Sequence, residues 1–151
     1  MLLWLESTGI AQWVGLSLYA YPSLLALHIT GLAVVVGVFL MRDLRLLGLL
    51  RNPAPGDFIK PARLAWAGFA LNAISGLMLF SSQATLFAIS TAFRLKISFI
   101  LLGMVLAVLI QRRLRGIAAE AVDNRTRLLA GVSLLCWLAA IIAGRLIAYL
   151  G

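Results

Sequence analysis

From Ser7 to Met41 the chain carries no Asp, Glu, Lys or Arg. That run exceeds the ~20 apolar residues that cross a bilayer as a helix. It has a natural break at Tyr21-Pro22, because proline lacks an amide donor and drives the residue before it out of helical geometry. The pattern predicts a first membrane-spanning helix over 22–41, with Pro22 in its first turn. Upstream, residues 2–19 hold Trp4, Trp13 and Tyr19 with Glu6 as the one charge, and aromatic residues of this kind gather at the membrane–water interface. A signal peptide would begin with positive charge and end at a small-residue cleavage site. The stretch is therefore read as a retained helix lying on the membrane surface.

The same alternation continues downstream. Asn52-Pro53-Ala54-Pro55-Gly56 is a loop signal, and an apolar run then predicts a second span over 61–82, closed by Ser81-Ser82-Gln83. The uncharged segment to Thr91 has weak periodicity and is read as an interfacial turn. A third span follows over 93–111, a charged loop over 112–127, and a fourth span over 128–150. The predicted architecture is all-α: one membrane domain, a four-helix bundle preceded by an interfacial helix.

Composition agrees. The 151 residues are 63% hydrophobic and 12% charged, against roughly 25% charged in soluble domains. The net charge of +8 would suggest nucleic acid in a soluble protein. Here the positive-inside rule accounts for it. Arg42, Arg45, Arg51, Lys60, Arg63, Arg112, Arg113, Arg115, Arg125 and Arg127 fall on one side of the predicted bundle, and only Arg94, Lys96 and Arg145 fall on the other. The ten are placed in the cytoplasm and both termini on the outer, periplasmic side. The lone Cys136 lies mid-span and excludes an intrachain disulfide.

His28 is the only histidine, and it sits inside the first span. Ionisable groups in hydrocarbon are expensive and usually face a bundle interior where they bind or relay something. His28 lies six residues past Pro22 and Arg145 six before Gly151, so both are roughly 9 Å in from the outer ends of their helices at 1.5 Å per residue. Met78 is about 6 Å in by the same arithmetic, and Arg94 and Lys96 stand at the outer mouth of the third span. These groups can share one layer. One imidazole among cations suits haem b, with His28 as axial ligand and Arg94, Lys96 or Arg145 on the propionates. Gly31 would leave room for the macrocycle, and the second ligand to iron would be Met78, the same histidine of a partner subunit, or none. Quinone suits the same groups through its carbonyl oxygens, and an anionic lipid headgroup needs only the cations. The competing structural reading is that His28 bonds a neighbouring helix, worth on the order of 0.6–2 kcal/mol, while the cations snorkel to headgroups.

The remaining polar and small positions are read as packing. Ala65, Gly68, Asn72, Ser75 and Gly76 share one face of the second span, and Ser133, Cys136, Ala140 and Gly144 one face of the fourth; small residues at this spacing let helices approach closely in lipid. Asp43 is expected to pair with a basic residue of the other cytoplasmic loop. Glu120 and Asp123 are expected to be solvated. The sequence has no Walker-type glycine loop, no H-E-x-x-H, no Cys pair and no G-x-S-x-G elbow, so a conventional hydrolase or ATPase is not expected.

The chain resembles a family of small bacterial inner-membrane proteins of unknown function. The resemblance rests on Tyr21-Pro22 with Leu27-His28 and Gly31, on Asp43-Leu44-Arg45-Leu46-Leu47-Gly48, and on Trp66-Ala67-Gly68-Phe69 with Ser75-Gly76. It continues in Phe93-Arg94-Leu95-Lys96 and Gly144-Arg145-Leu146-Ile147-Ala148-Tyr149. More distantly, the layout is similar to membrane bundles of the copper-resistance and cytochrome b561 type. The resemblance implies a bacterial inner-membrane location and marks His28 and Arg145. It also implies a second histidine near the end of the third span, where this chain has Gln111. Two functional classes remain: a haem b- or quinone-binding protein of the kind used in electron transfer, or a non-catalytic scaffold, forming a homo-oligomer or serving as a subunit of a larger membrane complex. An oligomeric anion pore lined by Arg145 is a third.

Overall fold

The computed structural model describes residues 2–51, 54–116 and 122–150. Asn52, Pro53 and Glu120, which belong to the predicted loops, lie outside the described residues. Helices α1 (Leu2–Glu6) and α2 (Gly9–Leu16) come first, then α3 (Ala20–Leu46). A 3₁₀ turn at Pro55–Phe58 leads into α4 (Ile59–Ser82), and α5 (Ala84–Ile89), α6 (Thr91–Gly116) and α7 (Asn124–Leu150) complete the chain. No strand occurs among the described residues. Helices α3, α4, α6 and α7 are each long and apolar enough to cross a membrane. Their outward leucines and isoleucines, such as Leu77, Leu135 and Ile142, meet hydrocarbon in a bilayer, where exposed apolar surface carries no penalty.

The boundaries follow local chemistry. The N-terminal segment forms two helices rather than one, because Thr8 leaves helical geometry and its side chain accepts the Ala11 amide. Helix α3 runs past Met41 to Leu46 and stops at Gly48, whose φ of +83° suits only glycine at low cost. The Leu49 amide then bonds the Leu44 carbonyl and the Gly48 amide the Arg45 carbonyl, the paired closure of a glycine C-cap. At the start of α7, Asp123 caps the helix by accepting the Thr126 amide at 3.1 Å, which holds its carboxyl below the ordinary aspartate range. The weakly patterned segment after Gln83 is helical, not a turn.

The bundle consists of two antiparallel pairs, α3 with α4 and α6 with α7, joined mainly along α3 and α7; α4 barely meets α6. The α3–α4 pair is tight because Gly31 faces the backbone of Gly68 and Asn72: a Cβ on Gly31 would lie 2.8 Å from the Gly68 carbonyl oxygen. The α3–α7 seam is sealed toward the arginine-rich end of the bundle. Phe39 stacks on Trp137 at 5.5 Å between centroids, over a core of Val35, Ala65, Met104 and Ala107.

Arg42 and Asp43 lie on that seam. They are 1% and 0% exposed and joined at 2.7 Å. Arg42 also reaches the Ala107 carbonyl and the Ser133 hydroxyl, each at 3.4 Å, and its guanidinium stands over the Phe39 ring. This corrects the expectation that Asp43 pairs across to the other loop. The helix continues beyond Met41, so Arg42 turns inward and pairs with Oδ1 of its own neighbour.

Candidate functional site

At the other end of the bundle, on the side of α1 and α2, a cavity of about 590 Å³ opens between the helices. Its walls come from α3 (Tyr21, Leu25, His28, Ile29, Leu32), α4 (Gly76, Leu79, Phe80), α5 (Leu86, Phe87) and α6 (Phe93, Lys96), with Gln83 at the α4–α5 joint. Helix α7 adds Ala140, Ile141, Gly144, Arg145 and Ile147. The size suits a small organic ligand. The lining is apolar except for a few polar groups, and no carboxylate occurs among its described residues.

His28 is held from one side. Its Nδ1 lies 2.9 Å from the Asn72 carbonyl oxygen and 3.3 Å from the Ser75 hydroxyl. A carbonyl only accepts, so Nδ1 carries the proton and donates. In the neutral ring Nε2 is then an acceptor, and it makes no hydrogen bond among the described residues. Asn72 returns the contact by donating its side-chain amide to the His28 carbonyl at 2.8 Å. Gly76 makes the placement possible: a Cβ there would lie 2.9 Å from His28 Cε1. The aliphatic stem of Lys96 lies along Gly144, with Cδ and Cε 3.4 Å from a Cβ built there, an ordinary van der Waals contact. Gly76, read from sequence as a helix–helix contact, makes room for a side chain instead.

Of the six sequence candidates, His28, Lys96 and Arg145 converge on the cavity. The other three do not line it. Met78 packs with the Val14, Leu24 and Leu79 cluster. Arg94 is exposed and bonds Thr91 at 3.3 Å. Gly31 faces α4, and the space beside it is filled by Gly68 and Asn72, so it offers no slot for a macrocycle. No group of three His, Cys, Asp or Glu side chains able to hold a metal occurs among the described residues.

Sequence reasoning missed the aromatic roof. Phe80, Phe87 and Phe93 stack mutually at 5.3–6.4 Å where α4, α5 and α6 meet. It also missed Glu6, whose Oε1 accepts the Thr85 amide at 2.7 Å and the Thr85 hydroxyl at 2.6 Å. These two bonds hold the Glu6 carboxyl below the ordinary glutamate range. They give α5 the cap acceptor that its own flanking Gln83 does not supply. An acid alone in an aromatic surface segment was the available signal.

Comparison with curated proteins finds no match, and neither does comparison with solved structures. Residues 1–150 match a family of unknown function, DUF6644, and the chain belongs to that family.

Proposed function

We propose that the cavity binds the ring of a quinone or quinol at the outer face of a bacterial inner membrane. The observation that carries this reading is His28, fixed through Nδ1 to a backbone carbonyl and so presenting an acceptor nitrogen to a cavity that also bears Lys96 and Arg145. A quinol hydroxyl can donate to Nε2, while a quinone carbonyl, or the anionic oxygen left after proton loss, can accept from Lys96. An acceptor nitrogen beside a cation fits a place in quinol-linked electron transfer. Haem b is less well supported by the geometry. A histidine held through Nδ1 is a good iron ligand, but Met78 faces another cluster and the space beside Gly31 is filled.

A second reading has its own observation. The reciprocal His28–Asn72 bonds tie α3 to α4, as a purely structural scaffold or accessory subunit would need. Titration of the purified protein in nanodiscs with a benzoquinone and a naphthoquinone separates the two. Under quinone binding, His28→Ala and Lys96→Met each weaken affinity by roughly 5- to 100-fold, the range for leaving one buried hydrogen bond unmade. Absence of binding by the wild-type protein, with His28→Ala changing only stability or assembly, would establish the structural role. Visible spectra of the oxidised and reduced protein, expressed with haem supplied, test haem directly: a Soret band lost in His28→Ala would displace the quinone reading.

A further inference from the structure

We propose that the cavity is filled from the bilayer, through a lateral opening between α3 and α7, by a ligand that carries an apolar chain. Leu25, Ile29 and Ile141 form the lip over which that chain leaves the site. This rests on the cavity being a ligand site, and it adds where the ligand comes from and what shape it has.

The opening follows from how α3 and α7 part. Toward the arginine-rich end they are sealed by Phe39 on Trp137 and by Arg42 reaching Ser133, and Val35 is 2% exposed. Two turns further along α3, the side that faces the cavity loses its cover: Ile29 is 56% and Leu25 39% exposed, and Ile141 on α7 is 39% exposed. All three line the cavity, so their exposure marks its open side. Ile29 is nine residues from the start of α3 and Ile141 nine from the end of α7. Both therefore lie about 13 Å along their helices, within the ~30 Å hydrocarbon layer.

The water-facing end is roofed by contrast. Helix α5 bridges α4 to α6 there, its Phe87 stacked against both Phe80 and Phe93, and Glu6 ties its first turn to α1. His28 and Lys96 are half-buried in the cavity, while Leu25, Ile29 and Ile141 at its lip are aliphatic. A polar ring can thus reach His28 and Lys96 with its chain lying in lipid.

The test uses the full-length protein in nanodiscs and two azido-benzoquinone photoprobes with the same ring. One carries an isoprenoid chain and is mixed into the lipid; the other has no chain and is added from water. In an Ile29→Trp/Ile141→Trp variant, labelling by the chain-bearing probe falls about tenfold more than labelling by the chainless probe, the difference expected when roughly two chain methylenes lose their contact. Equal loss for both probes, or no loss for either, overturns the lateral route and leaves quinone binding intact. No labelling of the wild type by either probe overturns both. Should the tryptophan pair misfold, Ile141→Ala widens the lip instead: faster labelling by the chain-bearing probe alone supports the route, and an unchanged rate overturns it. Leu135→Trp, also on α7 and lipid-exposed but off the cavity, controls for added bulk.

Discussion

Replacing Gly31 with alanine should loosen the α3–α4 pair more than any other single added methyl on α3. A Cβ at this position meets the Gly68 carbonyl oxygen at 2.8 Å, the Asn72 amide nitrogen at 2.9 Å and the Asn72 Cβ at 3.1 Å. Two of these are backbone atoms of the opposite helix, so no rotamer change relieves the contact. Restoring an ordinary separation of about 3.4 Å requires the helices to part by roughly 0.5 Å. That displacement stretches the His28–Asn72 bonds, now 2.9 and 2.8 Å, toward the limit of hydrogen bonding. Overpacking contributes about 1–3 kcal/mol and two weakened interhelical bonds about 0.6 kcal/mol each, for a loss of roughly 2–4 kcal/mol. Gly37, on the same helix, has nothing within 4 Å of a built Cβ. Gly37→Ala should therefore be neutral, or stabilising by up to about 1 kcal/mol from helix propensity. The assay is reversible unfolding in mixed micelles, followed by circular dichroism. Equal stability of the two variants would show that the close α3–α4 approach does not hold the bundle.

Two further outcomes are expected. Arg42→Met should destabilise by about 3–5 kcal/mol by leaving Asp43 buried and unpaired, whereas Arg42→Met with Asp43→Leu should recover much of that; the same unfolding assay decides, and a double variant worse than the single one would refute it. Glu6 has a lowered carboxyl value in the folded state, so its contribution is fully present above the ordinary glutamate pKa of about 4.3 and is lost as pH falls through the lower folded value. The melting-temperature gap between wild type and Glu6→Ala should accordingly be constant above about pH 5 and shrink on acidification. A gap that widened in acid would refute the latch.

Much of the site was legible because depth along a helix can be counted from sequence. His28, Lys96 and Arg145 each stand a fixed number of residues from a helix end, and the structure brings them to one cavity. Direction around the helix was not legible in the same way. Met78 is two residues from the lining Gly76, and Arg94 two from the lining Lys96. At 3.6 residues per turn each points about 200° away from its neighbour, at the right depth on the wrong face. Gly31 is three residues from His28, which places it on the α4-facing side. Arg42 was miscounted as a loop cation because charge marks where a membrane helix usually ends. A finer signal was present: Val35, Phe39, Arg42 and Leu46 follow the spacing of one buried stripe, and Arg42 lies on it. The Glu6–Thr85 bond joins residues far apart in sequence, and no periodicity encodes it.

The division of the bundle into a sealed end and an open end has an energetic reason. If a space of 590 Å³ were closed and empty, the ~24 cal/mol per Å³ found for engineered cavities would put its cost on the order of 14 kcal/mol. That is comparable to the whole stability of an ordinary domain. Four helices of this size do not carry such a void sealed, which accords with a space left open on one side. Water satisfies the polar groups but not the surrounding leucines and phenylalanines; a lipid chain satisfies the apolar walls but leaves Lys96 and the His28 acceptor unmatched. A molecule polar at one end and apolar at the other satisfies both. The Phe39–Trp137 stack and the Arg42–Asp43–Ser133 cluster provide the complementary condition. By fixing α3 to α7 at one end, they let the same two helices stand apart at the other without the bundle coming undone.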